Sequence, residues 1–377
     1  MNGQIMKNKS ASQSILICLF AVLAFAVCGS PALADSTAWN NTGSGDWFTQ
    51  ANWTNGVPTL SLDASINNGG TAQINHQVNN NAAAKSLILG TNQGNSGAVT
   101  IDGSNFGALV VQSDCNGQNP GDVYVGEQGS GKVTITNGGF IVSSNGYIAA
   151  EANSTLPTSN GSVTISGQNS DWNSYWAVTG DTCTGDAELF VGCTSTNDAG
   201  GTALLNVQDP ADVEVENSNG DHEDVKVGLS GTLTGNGSLL MGGPTSLSVT
   251  ARVLGTLAPA GTLTIVGNLT LSNTATTQCN VTPQASDNVQ VSAQCAGQPG
   301  GQCGHAALDG RLSVAMSGDF SSAPTQFLLL HADAGLNQTV FFSQSIKYPT
   351  GQGWTPQITY DYTGGNVYQD RVYNLGP

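Results

Sequence analysis

The sequence predicts an all-β protein: a right-handed parallel β-helix or solenoid closed by a C-terminal β segment, with a β-sandwich as the alternative architecture. Three observations predict it. Short runs rich in valine, isoleucine and threonine alternate apolar and polar residues with the period of two that a half-buried strand requires. The runs recur behind a glycine-ended anchor, and glycine reaches 49 of 377 residues, nearly twice its usual share of about 7%. No segment carries the helical periodicity that would cover a parallel sheet on its two faces.

The elements follow in chain order. Residues 1–34 read as a signal peptide: Lys7 and Lys9, an apolar run from Ile15 to Val27, then Ala32-Leu33-Ala34 before Asp35. The run is shorter than the roughly 20 residues that a membrane-crossing helix needs, and no later segment is apolar enough, so no integral membrane segment is expected after its removal. Val27 before Cys28 is bulkier than lipoprotein cleavage prefers, which argues against a lipid anchor. Losing Lys7 and Lys9 lowers the basic count from 9 to 7 against 26 acids and takes the net charge from −17 to −19. Nucleic acid is excluded as a partner by that charge. Only 9% of residues are charged, yet 38% are hydrophobic and lie in alternating runs, which favours a folded chain over a disordered one.

Residues 35–75 hold Trp39, Trp47 and Trp53. They read as a hydrophobic cap with the first coil, or as a platform for stacking sugar rings, which makes them the ligand-binding candidates. Residues 76–270 carry the repeat. The anchors "SLILG", "DVYVG", "ELFVG" and "DVKVG" end at Gly90, Gly126, Gly192 and Gly228, at steps of 36, 66 and 36 residues. Strands "GAVTID", "GKVTIT" and "GTALLNV" follow three of them, and "GSVTIS" from Gly161 suggests an extra coil inside the long step. Val99 and Ile101, Val133 and Ile135, and Val163 and Ile165 share one strand face, while Thr100, Thr134 and Thr164 share the other; Leu263, Ile265 and Thr264 repeat the pattern. Within this repeat "GEQGSGK" imitates a phosphate loop. Val133 stands where the magnesium-binding hydroxyl belongs, and a strand follows instead of a helix, so no nucleotide is expected and the glycines read as corner residues.

The stretch "VYVGEQGSGKVTITNGGFIVSSNGYIAAEANS" and the following "GSVTISGQNSDWNSYWAVTG", with Gly167, Ser170 and Trp172, resemble the passenger repeats of bacterial autotransporter proteins. "LGTLAPAGTLTIVGNLTL" from Leu254 is similar to the segment near the end of such passengers, so residues 271–377 are expected to be a β-rich, passenger-end-like region. The resemblance covers most of residues 38–373 and implies an exported β-helix, its short motifs carrying the fold further than the function. Two departures stand out. The residues after the last strand are too few for the translocator barrel, which is expected to be missing from this sequence. Six cysteines follow residue 34, unusual for a passenger; Cys183/Cys193 and Cys295/Cys303 are the expected local disulfides, leaving Cys115 and Cys279.

Candidate chemistry is sparse. Asp181, Asp186 and Glu188 lie close in sequence, Asp46 adjoins Trp47, and no G-x-S-x-G occurs. Glu214 and Glu216 share a strand face, and Asp221, Glu223 and Asp224 gather at a turn that is the metal candidate, although its spacing departs from a calcium loop. No cofactor is expected. The function expected is non-catalytic adhesion or matrix association, through a repetitive polar face binding glycans or other surface components, at the cell surface or outside the cell with the periplasm as the other compartment. A polysaccharide-active lyase or hydrolase is the alternative, and ice binding through pairs such as Thr134/Thr136 and Thr262/Thr264 is a third reading.

Overall fold

In the computed structural model the described residues are 35–76, 81–111, 121–150, 159–175, 187–216, 225–242, 249–293, 303–320, 324–337, 339–349 and 354–373. They form 32 strands in three long sheets, the first of 10 strands and the second and third of 11 each. The chain visits the sheets in rotation. Val123–Val125 lies in the first, Ser130–Thr136 in the second and Phe140–Ser143 in the third, before Gly146–Ile148 returns to the first, beside Val123–Val125. The winding is a parallel β-helix. Antiparallel hairpins would have made a sandwich, but successive coils pair in parallel and in register, as in Val133 with Val163 and Ile135 with Ile165.

Register follows from the alternating pattern. A one-residue slip would turn Val99, Val133, Val163, Ile101, Ile135 and Ile165 out to solvent, whereas in register all are fully buried. The core is therefore a column of stacked aliphatic side chains along the solenoid axis. Leu263 and Ile265 are buried likewise, but their strand Thr262–Val266 belongs to the third sheet, not to the second that holds the other "VTI" strands.

Corners explain the glycine anchors. Gly90, Gly126 and Gly192 have φ of 69°, 75° and 70°, the left-handed conformation that turns the chain from the first sheet to the second. A Cβ on Gly126 would collide with Asn160 O, and one on Gly131 with the Gly126 amide, so the phosphate-loop imitation is a tight corner between strands. The long step between Gly126 and Gly192 does hold another coil, made of Gly146–Ile148, Asn160–Ser166 and Asp171–Tyr175. Its corner residue is Ala149, at φ 47°, which is why a search for glycine-ended anchors passes over it.

Parallel winding continues beyond residue 271: Thr276–Val281, Arg311–Met316 and Ser343–Lys347 extend the second sheet. The C-terminal cap is a hairpin of Trp354–Asp361 and Asn366–Tyr373 that joins Gln326–Ala332 in antiparallel fashion and ends the third sheet. Trp354 packs edge-on against Phe320 at 5.8 Å. No helix among the described residues is long and apolar enough to cross a membrane.

The cysteines depart from expectation. Cys193 is a free, buried thiol whose Sγ donates to Lys226 O at 3.2 Å, so the expected Cys183/Cys193 staple is absent; Cys183 itself lies outside the described residues. The residue follows the Gly192 corner with its side chain packed into the neighbouring coil, where sequence proximity to Cys183 does not decide its partner. Cys303 is disulfide-bonded, and Cys295 lies outside the described residues. Cys279 is free and buried, and Cys115 is not among the described residues.

Candidate functional site

The three outer faces differ in kind. On the second sheet the strands Thr71–Ile74, Ser96–Asp102, Ser130–Thr136, Asn160–Ser166, Thr202–Val207 and Gly231–Gly235 place Gln73, Thr100, Thr134, Thr164, Asn206 and Thr234 in one row, each the register partner of the next. A second row, two residues away along the strands, includes Thr232, Thr256 and Thr276 on consecutive coils. Coils repeat at about 4.8 Å and the rows lie about 6.6 Å apart, so polar groups form a regular lattice. Threonine suits this use, because its branched Cβ restricts χ1 and holds the hydroxyl in place. From Ser130–Thr136 to Ser343–Lys347 the strands of this sheet contain no acid and three bases, Lys132, Arg311 and Lys347.

The acids of the second sheet, Asp46 and Asp102, lie on its first and third strands, and acid gathers chiefly on the third sheet. Asp171 and Asp212 are register partners on neighbouring strands, and beside them Asn173 Nδ2 donates to Glu214 Oε2 at 3.0 Å. No three His, Cys, Asp or Glu side chains among the described residues converge on a metal-binding point. Asp221, Glu223 and Asp224 lie outside the described residues, as do Asp181 and Asp186.

On the first sheet part of the outer face is aromatic. Tyr124, Tyr147 and Phe190 stack on successive coils, with centroids 4.8 and 5.2 Å apart and planes within 7° and 14°. Each ring covers the face of the next, leaving edges outward, and Phe190 is only 2% exposed. The next position is Lys226, 4% exposed, whose Nζ donates to Asp198 Oδ1 at 2.8 Å, Thr194 O at 3.1 Å and Ser195 O at 3.3 Å. All three ammonium donors are thereby used, fastening the 194–198 loop. That hydrogen bond also holds the Asp198 carboxyl below the usual carboxylate range.

Asp122 is the group here with the properties of a catalytic acid. Burial pushes its carboxyl up to about 6 against the opposing pull of hydrogen bonds from Asn145 and Tyr124. Geometry gives it another task. Its Oδ1 accepts from Asn145 Nδ2 at 3.0 Å and its Oδ2 from Tyr124 OH at 3.1 Å, while Asn145 Oδ1 accepts from Glu188 N at 3.0 Å. The chain of bonds stitches three coils together.

The tryptophans are not a platform. Trp39, Trp47 and Trp53 are buried, packed edge to face at 4.9 and 4.8 Å, with Trp53 Nε1 donating to Trp47 O at 2.7 Å. Their faces are spent on one another over the first coil, so none is open to a sugar. Asp46 stays at the surface near His76, 3.9 Å away. The pairs Thr134/Thr136 and Thr262/Thr264 sit on different sheets, which removes the single array that ice binding through both would need. Sequence inspection missed how Asn206, Thr234, Thr256 and Thr276 continue the polar rows, because their strands lack the "VTI" signature. It also missed the Tyr124–Tyr147 stack, although "VYVG" and "GYIA" place tyrosine at the same position before the corner.

No protein-family model matches this sequence, and comparison with curated proteins finds no significant match.

Proposed function

We propose that this protein is an exported, autotransporter-passenger-like β-solenoid that works without catalysis at the cell surface or outside the cell, adhering to glycans or other matrix components through the outer face of its second sheet. The observation that carries the reading is the in-register polar row from Gln73 to Thr234, on a sheet whose acids, Asp46 and Asp102, are confined to its first three strands. Each hydroxyl contributes little, and many presented at a fixed repeat add up, as in any multivalent contact. Rigid presentation lowers the entropy lost on binding.

A glycan and matrix-component array with the purified protein beginning at Asp35 tests this. The unmodified protein is expected to be retained on at least one component, and the Thr134→Arg/Thr164→Arg protein to lose that retention. Thr264→Arg, on the third sheet, is expected to keep it. Retention unaffected by the second-sheet changes sinks the proposal.

A further inference from the structure

We infer that the ligand of the second sheet is an uncharged, extended polysaccharide lying parallel to the solenoid axis, an inference that rests on the adhesive reading of that face. Direction comes from register. Moving from coil to coil, a polymer meets Thr100, Thr134 and Thr164 in identical settings, whereas moving along a strand it meets a different residue at each outward position. The strands there are 7 residues long, so a chain aligned with one leaves the sheet after a few contacts. The coil repeat of about 4.8 Å is comparable to the advance of one sugar in an extended, equatorially linked pyranose chain.

Charge decides the class. An anionic polymer approaches a molecule with 26 acidic and 9 basic residues and is repelled. On the second sheet Asp46 and Asp102 lie on its first and third strands, and no strand from Ser130–Thr136 onward carries an acid. A cationic polymer is therefore drawn instead to Asp171, Asp212 and Glu214 on the third sheet. On the second sheet Lys132 and Arg311 are separated by five intervening strands, about 29 Å. That is several Debye lengths at physiological salt, so they make no continuous basic strip. What remains is a surface of hydroxyl and amide groups, each able to donate and accept. Thr100, Thr134 and Thr164 make no side-chain hydrogen bond to other described residues, and they lie on the partly exposed outer face of their strands. A sugar chain offers the same groups in return.

The test is co-sedimentation of the protein beginning at Asp35 with insoluble cellulose, chitin and β-mannan as uncharged polymers, and with crosslinked polygalacturonate and chitosan as charged ones. Expected is retention on an uncharged polymer that changes less than about twofold between roughly 0.05 and 0.5 M salt. It should fall at least about tenfold in Thr134→Arg/Thr164→Arg, with Thr264→Arg unaffected. Both variants change outward strand residues, so melting within about 0.5 kcal/mol of the parent confirms folding. Retention only on a charged polymer, lost in the second-sheet variant, overturns this inference and leaves the adhesive face standing. Retention that ignores the second-sheet variant, or none on any of these polymers together with an empty array, overturns both.

Discussion

Asp122 shows how one buried carboxyl sets a pH response. Its folded-state pKa is raised from the usual carboxylate range to about 6, so between about pH 4 and 6 the folded protein holds a proton that the unfolded chain has released. The group's contribution to stability is therefore complete in acid and is lost as pH rises through 6, a change of about 3 kcal/mol for a shift of two units. Asp122→Asn keeps the hydrogen-bonding shape and removes the titration. Chemical denaturation should show the variant gaining stability relative to the parent as pH goes from 4 to 7.5; a constant difference would refute the assignment. The free cysteines make a second residue-scale prediction. Burial pushes the thiols of Cys193 and Cys279 up to about 12, which suppresses both thiolate and access. A thiol-specific mass tag is expected to label these two only after unfolding, and rapid labelling of either in the native protein would contradict their burial.

Elements here owe their stability to corners as much as to strands. Gly126 combines a φ of 75° with the backbone of Asn160 where a side chain would go. Gly126→Ala is accordingly expected to cost more than the roughly 1 kcal/mol of a simple glycine substitution, and of the order of 2 kcal/mol or above. Lys132, six residues on, points to solvent from Ser130–Thr136, so Lys132→Ala should change stability by less than about 0.5 kcal/mol and abolish no nucleotide binding. Equal costs at the two positions, measured by thermal melts, would undo the reading of this stretch as corner and strand. The same logic explains the coil around Gly146–Ile148: Ala149 occupies its corner, so the backbone repeats where the glycine spelling does not.

For the molecule as a whole, stability is close to a sum over coils and their contacts with neighbours, which makes the ends decisive. Trp39, Trp47 and Trp53 close one end, and the antiparallel hairpin Trp354–Asp361/Asn366–Tyr373 closes the third sheet at the other. Trp53→Ala is expected to cost about 3 to 5 kcal/mol, as removal of a buried indole does. Hydrogen exchange should speed up first in Ser36–Ala38 and Asp63–Ile66, while Arg311–Met316 stays protected. Uniform loosening along the chain would instead mean that the coils unfold as one block. Polymer retention should survive the change wherever the protein remains folded, because the rings face the core and not the ligand.

The β-helix was legible in the chain because its cause is local and repeated. Val133 and Ile135 alternate with Thr134, and Gly126 stands at a bend, so period and punctuation together impose strands, corners and coil-on-coil stacking. The polar face was legible only in part, as isolated threonines on "VTI" strands. Which strands join into one face depends on register between residues far apart in sequence. Thr134 meets Thr164 and then Asn206, whereas the similar "TLTIV" strand goes to another sheet. Three-dimensional stacking likewise buried the tryptophans, left Cys193 a free thiol and raised the proton affinity of Asp122. Those outcomes are set by which groups lose contact with water when the coils close, and alternation along a strand does not encode that.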